Sequence, residues 1–375
     1  MKNLIISMIL FLLLTNTSFA KSVGTTGATL FKIGPGARSV GMGEAFVAIS
    51  DDANALYFNP SGIGFLKRSE LSFMHINWFA DTRYEFLAHI LSPKYHKGNF
   101  GVGLIYLHNS EIKHTTGDTN GPYWSGEYFK FYDYGLILSY GRMIGKRFSL
   151  GSNIKLFKEG INLKGDLEYD SSVNTMLDIG MLFKFRRKPI NIGFCVQNIG
   201  PKAKYKDDKV PLPLNIKLGI LYKMFNNNLK VAFDLSKPND NDVCFNLGLE
   251  YILFKIISFR GGYVKGISKA NQNFSLGTGF RFKNLYLDYA YTPYGDLGDA
   301  HRMSFVIKGS FMEPWERWRN KKKIREREKA RKLLKEDEKK YLLKESKTEK
   351  KEDMEHEEDI DRWEKLEKEF LKKYE

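Results

Sequence analysis

The stretch Leu285-Tyr286-Leu287-Asp288-Tyr289-Ala290-Tyr291 alternates between two kinds of side chain. Its odd-numbered positions are all Leu or Tyr, whereas its even-numbered positions include Asp288 and Ala290. Successive side chains of an extended strand point to opposite faces, while a helix repeats about every 3.6 residues. The segment therefore predicts a β-strand with one apolar face and one face that is polar or lined by small residues.

The same period of two recurs along most of the chain. In residues 177–186, 274–282 and 302–311, large apolar side chains alternate with Gly, Ser, Thr or charged side chains. Runs of this kind, separated by Gly, Asn, Asp, Pro and Lys, are typical of strands joined by turns. We predict about fourteen strands, an even number as in single-chain bacterial barrels, at residues 69–79, 83–92, 98–109, 128–142, 147–159, 173–186, 189–200, 212–225, 228–237, 241–254, 255–266, 271–282, 284–293 and 301–311.

Two architectures produce this alternation. A soluble sandwich or barrel turns its apolar faces inward, whereas an outer-membrane barrel turns them outward to lipid and keeps a polar lumen. The strands reach the length of about 9–11 residues that a tilted membrane span requires. Their second faces are rich in Gly, Ser and charge, and Tyr and Phe recur near strand ends. These features favour an all-β, antiparallel transmembrane barrel over residues 69–311, with a soluble repeat protein as the alternative.

The composition excludes several other classes of protein. The chain has 375 residues, 42% of them hydrophobic, with 28 Phe, 20 Tyr and 33 Gly. Its mean hydropathy of −0.39 argues against a protein that crosses a membrane with many helices. Its aromatic content argues against disorder. The net charge of +15 first suggests a nucleic-acid partner, so the targeting signals have to be examined before the charge is interpreted.

The first 20 residues have the pattern of a secretory signal peptide. Lys2 precedes an apolar run, Leu4–Leu14, and small residues at Ser18 and Ala20 fit a cleavage site. The apolar run is too short to span a bilayer. We therefore expect export, which argues against a nucleic-acid partner. Since the barrel has an even number of strands, we expect both of its ends in the periplasm and the longer connections 114–127, 162–172 and 200–213 on the outer side.

Residues 21–68, which we call the hatch, do not alternate. The hatch is rich in small residues and contains the stretch GPGARSVGMGEAFVAISDDANALYFNPSGI, residues 34–63. Asp51 or Asp52 can cap a short helix that begins at Ala53, and Pro60 cannot continue that helix. The glycine spacing also suggests a phosphate-binding loop, but no Lys-Ser or Lys-Thr pair and no βαβ pattern accompany it.

This stretch resembles the N-terminal signature of the PorV/PorQ family, within the wider superfamily of FadL-type long-chain fatty-acid transporters of the outer membrane. In those proteins an Asn-Pro-Ala/Ser motif lies in an N-terminal hatch that plugs a fourteen-stranded barrel. Here the motif corresponds to Asn59, Pro60, Ser61 and Gly62. The resemblance implies a plugged barrel. It also implies either the passage of hydrophobic compounds, as in FadL-type members, or assistance to the secretion of other proteins, as in PorV-type members.

Charged residues lie on the predicted lumen faces of several strands. Their mixed signs suit salt bridges with Glu44, Asp51 and Asp52 of the hatch, and solvation in a wet lumen is the alternative. Cys195 and Cys244 also fall on lumen faces, as small fillers or as a redox-sensitive contact. The charged lumen residues are Lys217, Lys230, Asp234, Glu250, Arg260, Arg281, Asp288, Arg302 and Lys308.

Residues 312–375 form a predicted helical tail. The tail contains 22 Lys and Arg against 20 Asp and Glu, so its net charge is small. Ile360, Trp363, Leu366 and Phe370, followed by Tyr374, recur on one helical face. The tail is either a solvated helix or a periplasmic docking arm. Phe311 ends the last predicted strand with an aromatic residue, as barrels of this kind commonly do for recognition by the assembly machinery, but the tail makes this residue internal here.

We expect no cofactor, no metal site and no catalytic residues, because the His and Cys residues form no motif with ligand or catalytic spacing. The leading hypothesis is uptake of hydrophobic small molecules such as long-chain fatty acids, with outer-membrane lipids as surroundings. The alternative is a PorV-like accessory or scaffold of a secretion system. A secreted or periplasmic protein would then bind residues 313–375.

Overall fold

The computed structural model describes residues 24–78, 81–93, 98–118, 121–163, 167–205, 208–266, 274–309, 314–348 and 356–373. The predicted signal peptide and Phe311 lie outside these residues. The chain divides into two compact units, one ending at Gly309 and the other beginning at Ser310.

The first unit is a closed antiparallel barrel of fourteen strands, as the sequence predicts. Each predicted strand corresponds to one observed strand. In chain order, the barrel strands are β1 (Ser69–Asn77), β2 (Thr82–Leu91), β3 (Asn99–Asn109), β5 (Gly121–Ile144), β6 (Phe148–Leu163), β8 (Asn174–Lys184), β9 (Ile190–Ile199), β12 (Asn215–Met224), β13 (Leu229–Pro238), β14 (Cys244–Leu253), β15 (Ile257–Lys265), β16 (Phe274–Phe282), β17 (Leu285–Pro293) and β18 (Asp299–Gly309).

The barrel closes between its first and last strands. Residues of β1 pair with β18, from Ser69 opposite Gly309 to Asn77 opposite His301. Short turns connect the strands at the end of the barrel that holds Ser69 and Gly309. In one of them Asn226 adopts a left-handed conformation, with φ of 56°, which Asn tolerates better than most residues.

Four further strands extend the other end of the barrel. Strand β4 (Ile112–Asp118) pairs with the first half of β5, and β7 (Leu167–Asp170) pairs with β6. Strands β10 (Ala203–Tyr205) and β11 (Asp208–Val210) form a separate hairpin. The predicted longer connections 114–127, 162–172 and 200–213 lie at this end of the barrel and contain parts of these short strands.

The outward faces of the barrel are apolar and exposed. Leu276 is 55% exposed and Leu287 is 53% exposed, whereas Asp288 and Arg302 on the opposite faces are buried. This is the reverse of a soluble barrel and suits a wall surrounded by lipid. The alternation that predicted the strands therefore marks lipid-facing and lumen-facing positions.

The described part of the hatch, residues 24–68, fills the inside of this barrel. It contains a 3-10 helix at Thr29–Lys32, the short helices α1 (Ala37–Val40) and α2 (Ala55–Phe58), and a second 3-10 helix at Pro60–Phe65. Phe46 and Phe58, whose rings are 5.4 Å apart, are fully buried, as are Met42, Ile49 and Leu56. The apolar core of this membrane protein is therefore centred on the hatch.

The described residues of the second unit form two helices, α3 (Pro314–Thr348) and α4 (His356–Lys373). None of the described helices is long and apolar enough to cross a membrane. Trp363, Leu366 and Leu371 of α4 are exposed within this unit. Tyr374, the last residue of the predicted apolar face, lies outside the described residues.

Candidate functional site

The hatch is attached to the barrel wall through Asn59, which is fully buried. The side-chain amide of Asn59 donates to the carbonyl of Val47 at 3.0 Å and to the carbonyl of Met181 in β8 at 3.1 Å. Its side-chain oxygen accepts hydrogen bonds from the backbone amide and the hydroxyl of Ser61. These four bonds use both donors and both lone pairs of the side chain. Asn59 therefore links two parts of the hatch to each other and to the wall.

The remaining residues of the motif continue this close contact. Pro60 is the first residue of the 3-10 helix Pro60–Phe65, where its missing N–H leaves no hydrogen bond unmade. Helix α2 has already ended at Phe58, and Asn59 is extended. On the wall, a Cβ at Gly180 would lie 2.1 Å from the side-chain oxygen of Asn59. Only glycine at that position leaves room for the asparagine.

A cluster of charged residues forms the second attachment, around Arg38 of α1. The Nε and Nη2 atoms of Arg38 each donate to a different oxygen of Glu250 in β14, both at 2.9 Å. The Nη1 atom donates to Asp51 and Asp52 of the hatch. A two-pronged arginine–carboxylate pair of this kind fixes orientation as well as charge. Arg38 therefore holds α1, the Asp51–Asp52 turn and the wall together.

Glu250 also receives two cations from the wall itself. Lys230 lies 2.7 Å and Arg260 lies 2.8 Å from its carboxylate oxygens. Arg260 also binds Asp288, at 2.7 Å, and Lys230 lies 3.5 Å from Asp51. The side chain of Glu250 is 1% exposed, so three cations compensate its loss of solvation.

A separate ion pair connects the hatch to the first and last strands. Lys308 of β18 lies 2.8 Å from one carboxylate oxygen of Glu70 in β1. The other oxygen of Glu70 accepts a hydrogen bond from the backbone amide of Ala53. The closing strands of the barrel are thereby tied to the residues that precede α2.

The structure brings some of the predicted lumen residues together and leaves others apart. Lys230, Glu250, Arg260 and Asp288, with Lys308 and the exposed Arg281, line a polar cavity of about 170 Å³ beside Arg38. The other three predicted residues bind the hatch or the wall individually. Asp234 accepts a hydrogen bond from the backbone amide of Val47 at 2.8 Å. The ammonium group of Lys217 lies over the ring of Phe58. The guanidinium group of Arg302 donates hydrogen bonds to the hydroxyls of Thr292 and Tyr294.

The surroundings of the charged hatch residues favour the charged form of some and the neutral form of others, as the directions of their pKa shifts show. Burial opposes the charge of Arg38, but the nearby carboxylates of Asp51, Glu250 and Asp52 raise its pKa well above the usual value. Burial also acts against the charge of Asp51, yet Arg38 and Lys230 hold the pKa of that carboxyl well below its usual range. Burial raises the pKa of Glu44, which Lys217 and Arg302 only partly counteract. The Glu44 carboxylate lies against Gly34 and forms no ion pair with a described residue.

Sequence reasoning missed several residues of the hatch–wall contact. Lys155 and Asp178 form a buried ion pair at 2.8 Å, and Asn153 donates both to Asp178 and to the carbonyl of Leu56. The alternation of β6 and β8 places these residues on the lumen faces, so it was sufficient to find them. Arg38 carries no such signal, because it lies in a segment without periodicity.

A larger, apolar cavity lies at the end of the barrel away from Ser69 and Gly309. Its volume is about 710 Å³. The hatch contributes Thr29, Lys32 and Ile33, and the wall contributes Trp78, Leu107, Ile112, Phe131 and Ile161 together with Asp133 and Glu159. Such a cavity suits an apolar ligand held by a few polar groups.

The described residues contain no cluster of His, Cys, Asp and Glu side chains that could bind a metal ion. Cys195 and Cys244 are both buried free thiols. Burial raises the cost of a thiolate, so it makes cysteines less reactive.

The family described as "Type IX secretion system protein PorV" matches residues 16–239. This chain belongs to the PorV family. Solved structures support the fold: the toluene transporter TbuX of Ralstonia pickettii is 14% identical, with a TM-score of 0.54, over 73% of this chain and 97% of that one. A mutant of the monoaromatic hydrocarbon channel TodX is 12% identical, with the same TM-score, over 73% of this chain and 98% of that one.

No curated protein sequence matches this PorV-family chain. Its family and its barrel place it in the outer membrane. The resemblance on which the hatch motif was identified is thereby confirmed at the level of the family and the fold.

Proposed function

We propose that this protein is a plugged outer-membrane component of a protein secretion system. The observation that carries the proposal is the attachment of the hatch. The Asn59 side chain donates to the backbone carbonyl of Met181 in β8, and the Arg38 side chain donates to the buried carboxylate of Glu250 in β14. A lumen filled by the hatch suits an anchor or scaffold better than a conduit for a polypeptide. Membership of a family described as a type IX secretion system protein supports the same role.

In this proposal the charged tail is a docking arm in the periplasm. The tail forms a unit of its own, and α4 exposes Trp363 and Leu366 among charged residues. Exposed aromatic and aliphatic side chains within a charged surface are typical of binding faces. Protease treatment of intact cells and of cells with a permeabilised outer membrane tests the location. Cleavage of the tail only after permeabilisation is the expected result, and cleavage in intact cells contradicts it.

Deletion of the gene tests the secretion role directly. We expect proteins that are normally secreted to disappear from the medium and to accumulate inside the outer membrane. The full-length chain is expected to restore secretion, and a chain that lacks residues 313–375 is expected to restore it poorly while still inserting into the membrane. Normal secretion after the deletion contradicts the proposal.

The second proposed function is uptake of hydrophobic small molecules, the class for which the sequence suggests long-chain fatty acids as an example. The cavity of about 710 Å³ favours it, because apolar side chains such as Trp78, Leu107 and Phe131 line that cavity. Uptake of radiolabelled oleate and of toluene by cells with and without the gene tests this function. Equal uptake of both compounds by the two strains contradicts it, whatever the outcome of the secretion experiment.

A further inference from the structure

The apolar cavity contains a carboxylate without a partner. Asp133 of β5 is 7% exposed and lines the cavity. Its side chain forms no hydrogen bond or ion pair with any residue that the structure describes. A buried carboxylate without a partner is energetically costly and is seldom retained without a role.

A second acidic residue on the neighbouring strand raises the energetic cost of a charge on Asp133. Asp133 lies directly opposite Glu159 of β6. The oxygens of Glu159 already accept hydrogen bonds from the backbone amides of Ala28 and Thr29 and from the hydroxyl of Tyr205. Two carboxylates in facing positions of a strand pair repel each other. An ionised Asp133 would therefore lie beside a second carboxylate, with no cation of its own among the described residues.

The cation at the edge of the cavity does not compensate this charge. Among the described lining residues, positive charge is limited to Lys32, and its ammonium group binds Asp240 on the connection after β13. The walls around Asp133 are apolar, with Leu107, Phe131 and Ile161 among them. In such surroundings a charge-assisted hydrogen bond is stronger than in water.

We infer that this cavity binds an apolar molecule with a protonated amine as its head group, which donates to Asp133. The apolar body lies against Trp78, Phe131 and Ile161. A fatty acid is disfavoured, because its carboxylate would face Asp133 and Glu159 with no free cation among the described lining residues. The inference rests on the second proposed function and names the ligand class of its site.

The experiment compares three ten-carbon probes that differ only in the head group: decylammonium, decanol and decanoate. The full chain is reconstituted in nanodiscs of a zwitterionic lipid at about pH 7.5, and binding is measured by calorimetry, with empty nanodiscs as the blank. We expect decylammonium to bind about tenfold or more tightly than decanoate, since a hydrogen bond to a charged group is among the stronger ones. Decanol is expected to lie between them.

Asp133→Asn is expected to remove this preference by lowering the affinity for decylammonium. Asp296→Asn is the matched control, because Asp296 is an exposed carboxylate at the same end of the barrel. Folding of each variant is checked by its heat-dependent shift in gel mobility, and the comparison of the three probes on the unaltered chain does not depend on any variant.

The possible failures are distinguishable. If none of the three probes binds above the blank, the cavity is not a ligand site and the second proposed function fails with the inference. If all three bind equally, or decanoate binds most tightly, the ligand site stands and the assignment of its head group is overturned. An unchanged preference in Asp133→Asn also overturns the assignment.

Discussion

The side-chain amide of Asn59 donates to the backbone carbonyl of Met181, which is 122 residues further along the chain and lies in the barrel wall. This hydrogen bond joins the hatch to β8, and the side chain of Asn59 is fully buried. A polar group buried in this way is costly to leave unpaired. The plug is therefore held by specific bonds as well as by its fit in the lumen.

Asn59→Ala is expected to loosen the hatch. The substitution removes four hydrogen bonds, and each buried group left unpaired costs about 1–3 kcal/mol. We expect a lower unfolding temperature and, in planar bilayers, higher nonspecific conductance, with a larger effect when Pro60→Ala is added. Asn284→Ala, at an exposed turn, is the control. Unchanged conductance in the double variant would show that Asn59 and Pro60 do not retain the plug.

Arg38→Met is expected to destabilise the barrel strongly. It leaves Asp52 without its ion-pair partner and takes one of three cations from Glu250. Breaking a buried ion pair by removing one partner costs about 3–5 kcal/mol. Unfolding in urea, followed by tryptophan fluorescence in detergent, measures the loss. Arg187→Met, at an exposed turn, is expected to have little effect, and equal losses in the two variants would contradict a special role for Arg38.

The period of two was sufficient to predict the fourteen barrel strands and the polarity of their faces. Every lipid-facing strand must present apolar side chains on alternate positions, so the membrane itself imposes the signal. The extension of β5 back to Gly121 lies beyond that constraint, and its partner β4 contains Lys113, His114 and Thr115 rather than an apolar face. The sequences of β4 and of the first part of β5 therefore lacked the alternation from which the other strands were predicted.

The hatch was predictable as a segment but not in its contacts. Alternation identifies Glu250 as a lumen-facing residue, but its partner Arg38 is 212 residues away in a segment without periodicity. Which cation meets which carboxylate depends on how the hatch folds inside the closed barrel. The resemblance identified Asn59, and the space left for it by Gly180 follows only from the three-dimensional structure.

Glu44→Gln is expected to change the pH dependence of stability. Burial raises the pKa of Glu44 in the folded protein. The neutral carboxyl therefore stabilises the folded state, and this contribution is fully present below the unfolded pKa of about 4.3. That stability is lost as the pH rises through the higher folded pKa. Glutamine carries no charge and avoids the loss.

The variant and the unaltered chain should therefore unfold at similar temperatures near pH 4, and the variant should be more stable near pH 8. Unfolding temperatures measured across this range provide the check. Glu338→Gln, on the exposed surface of α3, should follow the unaltered chain throughout. A variant that is less stable near pH 8 would mean that the Glu44 charge is stabilised by Lys217 and Arg302 more than burial opposes it.

Gly180→Ala and Gly261→Ala form a matched pair that tests the fit between hatch and wall. Both glycines lie in barrel strands, Gly180 in β8 and Gly261 in β15. A Cβ at Gly180 would lie 2.1 Å from the Asn59 side-chain oxygen, whereas a Cβ at Gly261 meets nothing within 4 Å. Excess volume in a packed interior costs about 1–3 kcal/mol.

Gly180→Ala should thus displace Asn59. Like Asn59→Ala, it should lower the unfolding temperature and raise the nonspecific conductance. Combining Gly180→Ala with Asn59→Ala should give less than the sum of the two effects, because the smaller residue at position 59 makes room for the new methyl group. Gly261→Ala should leave both measurements unchanged. Full additivity in the double variant would mean that Gly180 acts on the wall itself, independently of Asn59.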